Sequence, residues 1–249
     1  DSDSNDFDNV DVLIGSGSNI TTTFYALKGT TLYGWGYNGY GQLGLSDTTN
    51  RTLATQITTN ISKVWCAGGQ QTFMYALTTG GSLYSCGYNG FGQLGLGDST
   101  NRTSLTLINT YYQLSPTTSS DTGYAASTGF GSIVQELFPH GHNSAGVTIA
   151  LTTDGRIFGC GYNDYVQLGL GNNWTTVNAF YEIPLPINFT YPVTKVSNES
   201  SKIANGRGNI FISDANGFVW GAGDGLIGIF GYGLSHDTNS WRFRRIKFE

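Results

Sequence analysis

The chain has 249 residues, with 12 Lys and Arg against 17 Asp and Glu, a net charge of −5 and a pI near 5.0. Charged side chains make up 12% of the total, about half the usual share, so the chain has no broad attraction for nucleic acid, and no apolar run of 18 residues is present to span a membrane. Aromatic residues at 14% are too many for a disordered chain, while 36 glycines and abundant Thr disfavour helix and favour short strands and turns.

The sequence begins at Asp1 and its only methionine is Met74. This reads as a processed or partial chain, and a removed signal peptide or a truncation accounts for it equally. Residues 1–9 form an acidic segment with Asp1, Asp3, Asp6 and Asp8. Its opening has the spacing of a calcium loop but lacks that loop's Gly and closing Glu, so no metal is assigned. Residues 10–249 read as one repeat domain.

The segment Leu32 to Thr52 (LYGWGYNGYGQLGLSDTTNRT) returns as Leu83 to Thr103 (LYSCGYNGFGQLGLGDSTNRT). It returns again as Ile157 to Gly171 (IFGCGYNDYVQLGLG), and in degenerate form as Val219 to Ser235 (VWGAGDGLIGIFGYGLS). Taking Gly44, Gly95, Gly169 and Gly233 as equivalent gives spacings of 51, 74 and 64, a basic period of about 50 with insertions. The repeats span about 10–58, 59–109, 133–187 and 193–246. Each holds an alternating stretch such as Ile61 to Cys66, which predicts a half-buried strand. A hairpin follows, with glycine where φ is positive, as at Thr153-Asp154-Gly155, and then a closing strand such as Ala54 to Ile57. Three or four strands per unit match a propeller blade.

These residues resemble the regulator of chromosome condensation repeat, over nearly all of 10–249 and most specifically at Gly36–Gly44 and Gly87–Gly95. The resemblance implies an all-β fold, a β-propeller-like array of about four antiparallel blades, as an open arc or an unusually small ring, where the family usually has seven. The third repeat replaces a Gly by Val166, and the fourth has lost its Asn and Gln. The repeated residues read as turn structure. Gly36, Gly41, Gly44, Gly87, Gly92, Gly95, Gly161 and Gly169 permit tight turns. Asn38, Asn89 and Asn163, with Gln42, Gln93 and Gln167, satisfy loop backbone groups.

Residues 110–131, rich in Ser, Thr and Gly, read as an inserted surface loop and a candidate partner site. A second loop is expected over 172–192, where Pro184, Pro186 and Pro192 limit ladder pairing. His140 and His142 read as loop histidines without metal, since a zinc site needs three or four ligands. No catalytic motif appears, and no cofactor or enzymatic activity is expected. Cys66, Cys86 and Cys160 read as reduced and buried, because Cys86 and Cys160 share a repeat position filled elsewhere by Trp35 and Trp220; a Cys66–Cys86 bridge stays open.

Seven Asn-x-Ser/Thr sequons occur, at Asn19, Asn50, Asn60, Asn101, Asn173, Asn188 and Asn198. Asn50 and Asn101 share one repeat position. With the low charge, they predict a secreted or extracellular protein carrying N-linked glycans. Arg242, Arg244, Arg245 and Lys247 near the end complement Asp3, Asp6 and Asp8 at the start, an arrangement suited to joining subunits. The resemblance implies three readings: a small-GTPase regulator of the family's founding kind, a secreted protein-binding or inhibitor module, and an array that assembles with itself because uncapped repeats leave heterologous faces. The composition favours a non-enzymatic extracellular structural or binding protein that self-assembles head to tail. A monomeric binding module is the alternative.

Overall fold

The computed structural model describes residues 10–69, 71–115, 123–142, 145–198, 209–223 and 240–246. The first sheet is a meander of β1 (Val12–Ser16), β2 (Thr23–Lys28), β3 (Thr31–Gly36) and β4 (Arg51–Thr58). The second holds β5 (Ile61–Ala67), β6 (Phe73–Thr78), β7 (Leu83–Gly87) and β8 (Arg102–Leu107). After β9 (Thr110–Leu114) and β10 (Tyr124–Thr128), the third meander runs through β11 (Val134–His142), β12 (Ala145–Thr152), β13 (Ile157–Tyr162) and β14 (Thr176–Glu182). The fourth has β15 (Lys195–Asn198), β16 (Asn209–Ser213), β17 (Val219–Gly223) and β18 (Ser240–Arg245).

The leading strands meet along one line: β1 packs on β5, β5 on β11, and β11 on β15. This is a β-propeller array with the first strand of each sheet innermost. Among the described residues, no packing of comparable extent joins the first sheet to the fourth. The core lies between consecutive sheets. Tyr25, Leu27 and Leu32 meet Val64, Met74, Ala76 and Cys86. Phe73, Tyr75 and Leu83 meet Leu137, Cys160 and Phe180. Ile149 and Ile157 meet Ile210, Ala222 and Phe243. Middle strands therefore carry apolar residues on both faces, as in β6, where five successive residues are buried.

Residues 110–131 differ from the expected loop. They contain the hairpin β9–β10, in register from Thr110↔Thr128 to Leu114↔Tyr124. β9 pairs in parallel with β14 through Phe180↔Tyr111 and Tyr181↔Tyr112, so the third sheet has six strands. The cause is side-chain alternation. Tyr111 is buried against Phe130 and Phe158, while Tyr112 stacks on Tyr181 with centroids 4.5 Å apart. Glu182 Oε2 accepts the Leu114 N–H at 2.9 Å, and the Tyr124 hydroxyl donates to the Glu182 carbonyl at 3.1 Å. The stretch 172–192 likewise contains β14, with its prolines lying after that strand. His140 and His142 lie on β11 rather than in a loop, opposite Val147 and Ala145.

Glycine is required where one repeat touches the next sheet. Gly95 has φ +70, and a Cβ there would stand 2.5 Å from the Phe180 ring, whereas at Gly97, φ +88, no atom of the described residues lies within 4 Å. Gly97→Ala should cost only backbone strain, about 1 kcal/mol. Gly95→Ala adds overpacking of about 2 kcal/mol. Urea unfolding of both variants checks this difference, and equal losses would contradict the close approach.

Candidate protein-docking surface

The turn after β3 is organised by two buried amides. Asn38 Nδ2 donates to the Asp47 carbonyl (3.0 Å), Asp47 Oδ1 (3.1 Å) and the Thr49 carbonyl (3.2 Å), and its Oδ1 accepts the Leu43 N–H at 2.9 Å. Asn89 repeats the set with Asp98, Thr100 and Leu94. Asn163 keeps the Leu168 bond at 2.9 Å and donates to the Trp174 carbonyl at 2.7 Å. Gln42, Gln93 and Gln167 each accept a backbone N–H two residues earlier, from Tyr40, Phe91 and Tyr165. Gln42 Nε2 also donates to Thr23 Oγ1 at 3.2 Å. Phe73 takes the place of Thr23 in the second sheet, which leaves buried Gln93 Nε2 without a hydrogen bond among the described residues.

Each turn seats on the following sheet. The Ser46 N–H donates to the Thr103 carbonyl and the Gly97 N–H to the Asn178 carbonyl, both at 2.8 Å. Gly41 and Gly92 lie against the backbones of Thr103 and Asn178. Cβ atoms on Gly44 and Gly169 would meet Cys86 Sγ at 3.2 Å and the Phe243 ring at 2.9 Å. Gly36, Gly87 and Gly161 all have positive φ and close the third strand of their sheets against the start of the second. The strand register places Ala222, not Trp220, opposite Ile210 and thus equivalent to Cys86, Cys160 and Trp35. Sheets two to four therefore carry a small residue at this position, beneath a glycine turn, and only the first carries Trp. Buried Trp220 instead donates to Asp214 Oδ2 at 3.1 Å. All three cysteines are free thiols, and Cys86 and Cys160 are buried while Cys66 is half-buried.

Among the described residues, the face that receives the preceding turn in sheets two to four is open on the first sheet. On this face Leu13 is 64% exposed and Phe24 38%, and Phe24 stacks on Trp35 with centroids 5.5 Å apart. Beside it, a cavity of about 420 Å³ lies between the innermost strands, lined by Ile14, Val64, Trp65, Cys66, Leu137 and Phe138. Lys63 pairs with Glu136 at 3.0 Å at its side, and the Trp65 indole N–H donates to the same carboxylate.

The sequons fall on unlike sites. Asn60, Asn173 and Asn188 are exposed. Asn50 and Asn101 have a structural cause for their repetition, since their Oδ1 atoms accept the Asn38 and Asn89 N–H groups at 2.9 and 2.8 Å. The side chains of Asn19, His142 and Asn198 lie outside the described residues, as do Asp3, Asp6, Asp8 and Lys247 altogether. Arg242, Arg244 and Arg245 are exposed on β18, with the Arg245 guanidinium 3.3 Å over the Phe218 ring. Among the described residues, no group of three His, Cys, Asp or Glu side chains is placed to hold a metal ion.

The Regulator of chromosome condensation (RCC1) repeat matches residues 31–74, 80–118 and 154–198, just over half of the chain. The chain belongs to this family. It is 31% identical over 214 residues to the ultraviolet-B receptor UVR8 of Arabidopsis thaliana, covering 84% of this chain and 40% of that protein. It is 34% identical over 142 residues to the human X-linked retinitis pigmentosa GTPase regulator, covering 57% of this chain and 12% of that protein. Its fold matches the crystal structure of Prp20p from Saccharomyces cerevisiae, described with its binding to Gsp1p and histones, at a TM-score of 0.62 and 18% identity, over 96% of this chain and 50% of that one. The chain thus spans half or less of the length of these relatives. RCC1 repeat proteins are typically non-enzymatic regulators.

These findings overturn the expected secretion, because the similar proteins are intracellular. The Asn50 and Asn101 geometry gives the physical reason the sequence misled: an Asn-Arg-Thr selected to close a turn has the form of a glycan acceptor.

Two outcomes follow from the site's ionisable groups. Hydrogen bonds from Arg51 and Arg102, aided by their charge, hold the Asp47 and Asp98 carboxyls below the ordinary value. A lowered folded-state pKa contributes stability that is present above the unfolded value near 4 and lost as pH falls through the folded one. The double variant Asp47→Asn/Asp98→Asn should have a lower urea midpoint at neutral pH, and should lose less stability than the parent on acidification below about pH 4. Burial pushes the Cys66 thiol up to about 12 and raises Cys86 and Cys160 as well. Thiol reagents at pH 8 should leave all three unlabelled until the chain is unfolded, as read by intact mass.

Proposed function

We propose that the chain is a non-catalytic protein-binding module of a regulator, and that its docking surface is the open apolar face of the first sheet. One observation carries this reading. Leu13 and Phe24 are exposed on the face that the next three sheets cover with a glycine turn. Such a patch favours a folded protein partner over a nucleic acid or a lipid surface. The relatives support the class of partner, since Prp20p is described with Gsp1p and histones and another relative is a GTPase regulator.

A finer reading is head-to-tail self-assembly on the same face. It is favoured by the one-directional contact between each turn and the next sheet, which is heterologous by construction.

Titrating the purified chain with a small GTPase and with histones tests the main reading. Binding should weaken about tenfold or more in Leu13→Glu and Phe24→Ala. Both side chains are exposed, so the melting temperature should stay near that of the parent. Absence of binding, or binding indifferent to both substitutions, overturns it. Light scattering of the free chain decides the finer reading: oligomers dissolved by Leu13→Glu support it, and a monomer at every concentration excludes it.

A further inference from the structure

The outer edges of the sheets are treated differently. On the second sheet, Leu45 bridges to Ser104 and the Ser46 N–H bonds the Thr103 carbonyl, so a turn covers the edge of β8. On the third, Leu96 bridges to Ala179 and β9 takes the end of β14. The inserted hairpin then leaves β10 outermost. All five residues of β10 pair with β9, and among the described residues none hydrogen-bonds outward. Ala125, Ala126 and Thr128 are exposed.

A bare edge is usually guarded by charge, proline or a bulge. The outer strands β4 and β8 carry Arg51 and Arg102, and β18 carries Arg242, Arg244 and Arg245. The sequence of β10 is Tyr-Ala-Ala-Ser-Thr, with no charge, no proline and a register without shifts. Its partner β9, Thr-Tyr-Tyr-Gln-Leu, carries no charge either. This edge is the one outer edge among the described residues that is both unguarded and uncovered.

We propose that β10 pairs antiparallel with β10 of a second copy of this chain, around a two-fold axis at Ala126. The occupant is fixed by self-complementarity. The two-fold places Ala126 opposite Ala126, Ala125 opposite Ser127, and Tyr124 opposite Thr128. No like charges meet, the small central residues let the strands approach to the usual spacing of about 4.8 Å, and aromatic–β-branched pairs stabilise the flanks. The two six-stranded sheets become continuous. A two-fold pairing closes on itself, so the product is a dimer and not a fibre. This pairing uses a different surface from the first-sheet face and stands independently of it.

The test is sedimentation velocity across a concentration series, with Ala126→Lys and Ala126→Cys variants. The parent should show a monomer–dimer equilibrium. Ala126→Lys places two ammonium groups against each other at the axis and should weaken association about tenfold or more. Ala126→Cys should form an interchain disulfide under mild oxidation, while Leu53→Cys on β4 should not. Both substituted positions are exposed, and circular dichroism verifies the fold; if the Lys variant unfolds, the cysteine pair decides. A parent monomeric at all concentrations, a dimer unaffected by Ala126→Lys, or cross-linking at 126 no faster than at 53 overturns the proposal.

Discussion

The close seating of each glycine turn on the following sheet is the constraint on which the array depends. Backbone at Gly41, Gly92, Gly95 and Gly169 lies where any side chain would collide with the next sheet, and a Cβ at Gly44 would crowd Cys86. The turn can hold that position only because Asn38, Asn89 and Asn163 bind its backbone from within. The contact also dictates what lies beneath. Cys86, Cys160 and Ala222 are small because a turn presses on them, and Trp35 is large on the one sheet without such a cover among the described residues. Polar satisfaction, glycine geometry and core side-chain size are thus one device seen at three levels.

Much of this was legible in the sequence because it repeats. Near-identity between Leu32–Thr52 and Leu83–Thr103 identified the unit, and buried Asn and Gln at fixed offsets pointed to turn chemistry rather than to a ligand. What stayed illegible had specific causes. The β9–β10 hairpin was hidden because Ser, Thr and Gly dominate its composition, while its strand signal sits in the short alternation Tyr111-Tyr112-Gln113-Leu114. The repeat position of Ala222 was misread because a tryptophan two residues earlier suggested equivalence with Trp35. Asn50 and Asn101 misled most, since a side-chain oxygen used to cap a turn and a nitrogen used to carry a sugar leave the same letters behind.

A device that completes one sheet by the turn of its predecessor has a direction, and its first member presents a face made to be covered. That Leu13 and Phe24 stand there in the open is what ties the packing rule to the proposed protein partner. The inserted hairpin leaves a surface of a different sort, a sheet edge in place of a sheet face.

The measurement that tests the seating most directly is the unfolding free energy of Cys86→Trp, which installs at the covered position the residue that the first sheet carries. The account predicts a loss of about 3 kcal/mol or more, because the indole has nowhere to go beneath Gly44. A variant within about 1 kcal/mol of the parent would mean that turn and sheet are separated by real space, and would contradict the claim that their contact organises the fold.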